Sequence, residues 1–326
     1  METLGQWWMW LGFFVFVVIA VVVDLVVLRS QGAHKVSVKE ATVWSLVWVA
    51  LALLFCAGFW YYLDGSAGRA VANESASQFL TGYLIEKSLS VDNIFVFLMV
   101  FTYFAVPLEF QKRVLILGVI GAIVLRAVMI LLGAVLIAKF HWMLYLFGLF
   151  LLITGIKMLL FADASPDLEK NIVLRWMRSH LHITPGFHDE KLVILQDGKR
   201  WYTPLFAVVV LIAVTDIIFA VDSIPAIYAI TEDPFIVMTA NIFAILGLRA
   251  LYFLLADMKE RFHLLTYGLA MVLIFVGIKM LVVHWIKVPA FWSLGVVGAI
   301  LATSVVISMM WPPVSDRAGR GLRPKS

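Results

Sequence analysis

Charged residues and cysteine are scarce in this chain. Of its 326 residues only 14% are charged, whereas 63% are hydrophobic. Soluble domains are roughly half apolar and a quarter charged, so this composition excludes an ordinary soluble protein. It predicts an all-α, multi-spanning membrane protein. The single cysteine, Cys56, lies in an apolar run, which excludes an internal disulfide and a cysteine-based metal site.

Features typical of several other protein classes are also missing. The basic residues lie in loops beside apolar segments, as membrane insertion requires, so they do not predict a nucleic-acid partner. The sequence contains no phosphate-binding glycine loop, and therefore we expect no direct use of ATP. It also lacks the GxGD stretch of intramembrane aspartyl proteases. We predict a protein that is not an enzyme and has no tightly bound cofactor.

Apolar segments long enough to cross a membrane, which takes roughly 20 residues, make up most of the chain. We predict nine of them, at 7–28, 43–63, 79–101, 113–138, 140–161, 204–226, 235–256, 264–286 and 289–311. Seventeen Lys and Arg residues fall in one set of alternating loops and the C-terminal tail, against three in the other set. This bias predicts that the N-terminus lies outside and the C-terminus in the cytoplasm.

Two polar stretches inside these apolar segments resemble each other. GYLIEKSLSVDNIFVF (82–97) aligns with VLIAVTDIIFAVDSIPAI (210–227), and GIKML occurs at both 155–159 and 277–281. The alignment pairs Glu86 with Asp216, Asp92 with Asp222, Asn93 with Ser223 and Arg126 with Arg249. The three helices of 79–161 are therefore predicted to be repeated in 204–286.

The repeat divides the rest of the chain. Residues 1–78 are predicted to form two N-terminal spans, and 287–326 the last span with a basic cytoplasmic tail. Between the repeats, 162–203 is predicted to be a cytoplasmic loop with a short amphipathic helix and a hairpin that turns at Asp197 and Gly198.

Opposite orientations of the two copies indicate the function. The first copy begins outside and the second inside, so they are predicted to be inverted repeats, which are typical of secondary transporters with a site near mid-membrane on interrupted helices. On an ideal helix Glu86 and Asp92 would point about 120° apart. We therefore expect a break in each acidic helix, aided in the second by Pro225, that brings these carboxylates to one cavity.

The candidate site residues are hard oxygen donors. Each charge at mid-membrane costs at least roughly 2.5–3.5 kcal/mol, so bound cations, protons or arginines must offset it. Because no histidine lies deep in a predicted span, the donors favour Mn²⁺, Mg²⁺ or Ca²⁺. We predict metal ligands at Glu86, Asp92, Asn93, Asp216, Asp222 and Ser223, with Asp24, Lys87, Arg126 and Arg249 in support. Asp24 is expected to pair with Arg29, and purely structural pairing of the acids with Lys87 and the arginines stays open.

The two acidic stretches resemble the signature segments of the TerC family of membrane proteins, and TGYLIEKSLSVDN is most similar to its Alx branch. The resemblance implies manganese export across the bacterial inner membrane, with the acids of both stretches along the metal path. Export of two charges from a negative-inside cell costs about 4.6 kcal/mol per 100 mV, so proton antiport is the expected energy source.

Other functions stay open beside this one. A Ca²⁺/H⁺ exchanger of the same architecture would use the same oxygen donors. A non-transporting scaffold linked to tellurium or stress resistance is a further alternative. The expected partners are the metal ion, protons and the lipid bilayer; the oligomeric state is not predicted.

Overall fold

The computed structural model describes residues 3–31, 38–140, 142–160, 171–196, 199–256, 264–283, 285 and 288–310, which are mostly helical. The elements in this part of the chain are α1 (Trp7–Gln31), α2 (Val38–Ser66), α3 (Arg69–Tyr103), α4 (Leu108–Lys139), α5 (Met143–Leu160), α6 (Ile172–His180), β1 (Val193–Gln196), β2 (Lys199–Tyr202), α7 (Pro204–Tyr228), α8 (Pro234–Leu246), α9 (Leu248–Ala256), α10 (Leu265–Leu281) and α11 (Ala290–Met310).

Each of the nine predicted spans coincides with helical structure. Within the described residues, seven segments are long and apolar enough to cross a membrane; they lie in α1, α2, α4, α5, α7, the α8–α9 pair and α11. The two remaining predicted spans lie in α3, which carries the first acidic stretch, and in α10, which is apolar but has 17 residues. Nine crossings therefore remain a prediction, whereas a multi-pass helical membrane protein is confirmed.

The segment between the repeats contains both predicted elements. Asn171 caps α6 by accepting the N–H of Val173 at 2.9 Å, and the helix is amphipathic, with Leu174 and Met177 buried. Strands β1 and β2 pair antiparallel as a hairpin. The predicted turn residues, 197–198, lie outside the described residues, as do 161–170 and the tail from 311.

Both acidic stretches lie on unbroken helices, so the predicted breaks are wrong. Helices α3 and α7 continue through 86–93 and 216–223, and one hydroxyl group in or beside each stretch bonds back to the preceding turn. Ser88 donates to the Leu84 carbonyl at 2.7 Å. Thr215 donates to the Leu211 carbonyl at 2.6 Å. Such back-bonding satisfies a polar side chain without opening the helix. Pro225 lies in the last turn of α7, so the hydrogen bond that it removes is close to the helix end.

The interruption occurs instead between α8 and α9. Gly247 separates the two helices with φ −86° and ψ 1°. The last carbonyls of a helix have no partner within it, and here the Lys87 ammonium group on α3 donates to the Ala244 carbonyl at 3.2 Å. A Cβ atom at position 247 would lie 2.5 Å from that ammonium nitrogen, so glycine leaves the space that Lys87 occupies.

Helices α5 and α10 cross closely through small residues. A Cβ atom added at Gly155 would lie 2.9 Å from the Ala270 carbonyl oxygen, and one added at Gly277 would lie 2.8 Å from the Gly148 carbonyl oxygen. The pairing of 148 with 277 and of 155 with 270 shows that the helices run antiparallel. The repeat alignment equates Gly148 with Ala270 and Gly155 with Gly277, so these two contacts are equivalent.

We predict that Gly155→Ala lowers the free energy of unfolding by about 1–3 kcal/mol, because the new methyl group overlaps backbone atoms of α10. The control is Gly295→Ala on α11, where a Cβ atom would meet nothing within 4 Å. Thermal unfolding of the purified protein in detergent provides the measurement. Equal melting temperatures for the two variants would contradict the close crossing.

Candidate functional site

A buried cluster of charges joins α3, α4 and α7. Arg126 on α4 is 1% exposed and binds Asp216 on α7 through two contacts, Nη2–Oδ1 at 2.9 Å and Nε–Oδ2 at 3.3 Å. Its Nη1 atom also contacts Oε1 of Glu86 on α3. Buried charges are stable only when they are paired and hydrogen-bonded, so this arginine compensates both acids.

Two neutral side chains complete the cluster. Asn241 on α8 donates its Nδ2 group to Glu86 Oε2 at 3.0 Å and accepts from Arg126 at 3.5 Å. Ser223 accepts from Arg126 Nη1 at 3.4 Å. Ser223 was a predicted site residue, but Asn241 was missed, because one amide in the apolar run PFIVMTANIFAIL is also compatible with ordinary helix packing.

One face of α3 carries further buried oxygen atoms. Glu86, Ser90 and Asn93 follow one another at i, i+4 and i+7, a spacing that puts them on one side of a helix. Ser90 Oγ and Asn93 Oδ1 are buried and have no hydrogen-bond partner among the described residues. An unpaired buried polar atom is costly, so both atoms are candidates for contact with an ion or water. Ser90 was also missed from the sequence.

The α3 face lies against the matching face of α7. Glu86 and Ser223 both contact Arg126, while a Cβ atom at Gly82 would lie 3.2 Å from the Ile227 side chain. These pairs show that α3 and α7 run antiparallel. The same step along both helices places Asn93 level with Asp216. Two acid-and-neutral pairs, matched by the repeat, thus share one interface.

The structure does not bring Asp222 into this cluster. On the unbroken α7 it points about 120° away from Asp216. Its side chain lies instead within hydrogen-bonding reach of Thr154 and near the charge of Lys157, both on α5. The predicted convergence of all four acids is therefore not found for Asp222. The side chain of Asp92 lies outside the described part of the structure.

The predicted supporting residues have other partners. Arg249, the match of Arg126 in the repeat, binds Asp24 on α1 with Nη2–Oδ1 at 2.5 Å. Asp24 therefore pairs with α9, whereas its expected pairing with Arg29 is not tested, because the side chain of Arg29 lies outside the described residues. Lys87 donates to a backbone carbonyl of α8.

Carboxylates alone do not form a metal cage here. Among the described side chains, no group of three or more His, Cys, Asp or Glu residues could hold a metal ion. Glu86 and Asp216 are the two acids of the central cluster, and Arg126 lies between them. A bound cation would therefore need neutral oxygens as well, and Ser90, Asn93 and Ser223 offer them.

A cavity of about 470 Å³ lies at the end of the helices that is predicted to face outside. It is lined by Glu74 and Gln78 at the start of α3, by the loop after α7 that carries Glu232, and by Lys279. The Tyr228 hydroxyl group, also at this cavity, donates to the Ile130 carbonyl at 2.6 Å. This contact links α7 to α4 on the outer side of the charge cluster.

Comparison with known proteins identifies the family. Residues 71–315 match the model of the "Integral membrane protein TerC family". The chain belongs to the TerC family. This TerC protein is 53% identical to the "Putative membrane-bound redox modulator Alx" of Escherichia coli (strain K12), over 94% of its own length and 96% of the relative's.

More distant relatives also match at full length. An "Uncharacterized membrane protein STKORF319" of Myxococcus xanthus is 44% identical over 97% of this chain and 98% of its own. An "Uncharacterized membrane protein" of Rickettsia felis is 40% identical over 92% and 97%. No solved structure matches. The family region contains every residue of the charge cluster, whereas Asp24 precedes it.

We predict that Asn241→Leu lowers the free energy of unfolding by about 1–3 kcal/mol, because Glu86 Oε2 loses its amide donor in a buried site. Thr239→Val is the matched control: it lies on the same buried helix, and its hydroxyl group bonds only to the preceding turn. The measurement is thermal unfolding in detergent. If the Asn241 variant is as stable as the Thr239 variant, the amide does not support the cluster.

Proposed function

We propose that this TerC protein is a secondary transporter that exports a divalent metal cation, Mn²⁺ first, in exchange for protons. The observation that carries the proposal is the pair of buried acids, Glu86 and Asp216, beside oxygens of Ser90 and Asn93 that have no partner in the part of the chain that the structure describes. Two carboxylates neutralise one divalent cation. Carboxylate, amide and hydroxyl oxygens suit Mn²⁺, Mg²⁺ and Ca²⁺ better than softer ions.

The packing supports an alternating-access mechanism. The equivalent helices α5 and α10 run antiparallel and contact each other through equivalent residues, and so do α3 and α7. Equivalent contacts repeated in this way are typical of two-fold symmetry, with an axis perpendicular to the helices. We propose that the helices cross the membrane nine times, so that this axis lies in the membrane plane, as in transporters with inverted repeats.

The remaining acids define a path through the protein. We propose that Asp222, beside Thr154 and Lys157, is a second cation-binding position on this path. Asp92 is its equivalent in the first repeat. These two acids are proposed to exchange protons for metal. The outer cavity with Glu74 and Glu232 would then release the cation outside. The membrane is proposed to be the bacterial inner membrane, with the N-terminus outside and the C-terminus inside.

A redox function and a scaffold function explain fewer of these structural features. The Escherichia coli relative is named a redox modulator, but Cys56 is the only cysteine here, so no pair of thiols within one chain is available. A scaffold without transport would have no use for unpartnered oxygen atoms beside two buried acids, which cost stability.

We predict that Asp216→Asn abolishes metal export while the protein stays in the membrane, because one of the two neutralising charges is lost. Asp64→Asn is the control, since Asp64 forms a surface pair with Arg69 that contributes little to stability. Cellular Mn²⁺ content and membrane abundance are measured in a strain that lacks the native protein. Full export by a normally abundant Asp216 variant would refute the site.

We predict that an imposed proton gradient drives Mn²⁺ accumulation in proteoliposomes that contain the purified protein, and that collapsing the gradient stops it. Excess Mg²⁺ or Ca²⁺ is added in parallel to compare selectivity. Flux that follows only the Mn²⁺ gradient and moves no protons would show a uniporter or channel in place of an antiporter. Stronger inhibition by Ca²⁺ than by unlabelled Mn²⁺ would indicate the Ca²⁺/H⁺ exchanger.

A further inference from the structure

We propose that Arg126 is a tethered cation, which occupies the acid pair when no metal is bound and thereby allows the empty transporter to reverse its orientation. The proposal rests on the transport function proposed above. Arg126, which the sequence predicts only as a supporting residue of the site, thereby has its own role in the transport cycle.

Arg126 contacts the oxygen atoms of both buried acids. Its guanidinium group contacts Glu86 Oε1, both carboxylate oxygens of Asp216, and the hydroxyl oxygen of Ser223. These are the oxygens that a divalent cation would use. Metal and guanidinium group are therefore alternative ligands of one set of oxygens, and binding of either displaces the other.

The net charge of the site depends on which cation lies between Glu86 and Asp216. Without a cation the two ionised acids would carry a charge of −2 in a buried site, and moving such a charge within a membrane is costly. With Arg126 docked the cluster carries −1, and one proton makes it neutral. A divalent metal in place of Arg126 neutralises the two acids as well, and the displaced guanidinium group keeps its own charge on α4. The two acids are thus compensated in both the loaded and the empty site.

Arg249 is the equivalent of Arg126 in the second repeat but has a different partner. The repeat alignment gives the two arginines equivalent positions, yet Arg249 binds Asp24 at 2.5 Å and leaves the central acids to Arg126. One arginine of the matched pair is therefore in the site and the other is held outside it. If an arginine were required at this repeat position only for folding, substitution of Arg126 and of Arg249 would have similar effects. Arg249 therefore provides a matched control for Arg126.

This role predicts a difference between two modes of transport. Exchange of Mn²⁺ for Mn²⁺ across a membrane needs only the loaded site to reverse its orientation. Net transport also needs the return of the site without metal, with Arg126 docked. Loss of the guanidinium group should therefore spare exchange and impair net transport. Because a competitor is removed, Mn²⁺ should also bind more tightly.

The experiment uses the full-length protein as wild type, Arg126→Gln, Arg126→Lys and Arg249→Gln. Mn²⁺ affinity is measured in detergent, and tracer exchange and proton-driven net uptake are measured in proteoliposomes. For Arg126→Gln we expect at least about tenfold tighter Mn²⁺ binding, or about 1.4 kcal/mol, and a similar loss in the ratio of net uptake to exchange. Arg126→Lys should shift both quantities in the same direction by less, because an ammonium group binds carboxylates through one point.

The control and the contrary outcomes separate this role from a structural one. Arg249→Gln should leave the ratio of net uptake to exchange within about twofold of wild type, since it removes no competitor from the site. Weaker Mn²⁺ binding by the Arg126 variants, or an unchanged ratio of net uptake to exchange, would overturn the proposal. If the Arg126→Gln protein is not produced in the membrane, the same two measurements on Arg126→Lys provide the test. A wild-type protein that neither binds nor moves a divalent cation would overturn the transport function itself.

Discussion

The contact of one guanidinium group with two buried acids is the interaction on which the rest of this structure depends. Arg126 joins α3, α4 and α7, and Asn241 extends the contact to α8. Removing Arg126 would leave Glu86 and Asp216 without their shared cation in an apolar interior, whereas removing one acid leaves Arg126 paired with the other. The helices of both repeats must therefore pack around this cluster.

The acids and Arg126 could be predicted from the sequence because a charge inside a long apolar run is a strong signal, and its repetition strengthens it. Ser90 and Asn241 could not, since single neutral polar residues are common in packed membrane helices. The partner of Arg249 could not be predicted either. Asp24 lies on α1, outside the repeat, so no alignment relates the two residues.

The predicted breaks in α3 and α7 are absent, and hydrogen bonds within each helix explain why. Serine and threonine compete with the backbone for hydrogen bonds, but here Ser88 and Thr215 bond back to carbonyls within the same helix and leave it intact. Continuity then separates the acids of each stretch around the helix, and Asp222 faces α5. The actual interruption, at Gly247, is less visible in the sequence, because one glycine in an apolar run is compatible with an unbroken membrane helix.

Differences between equivalent residues bear most directly on mechanism. The α8–α9 pair is interrupted whereas α4 is continuous, and Arg126 binds the central acids whereas Arg249 binds Asp24. In a carrier built from inverted repeats, the two halves exchange conformations between the inward-facing and outward-facing states. A single state must then look asymmetric, as the interruption in one of two equivalent helices does. The difference between the arginines has another cause, because the partner of Arg249, Asp24, lies on α1, outside both repeats. Of the two matched arginines, Arg126 is therefore the one that compensates the central acids in this structure.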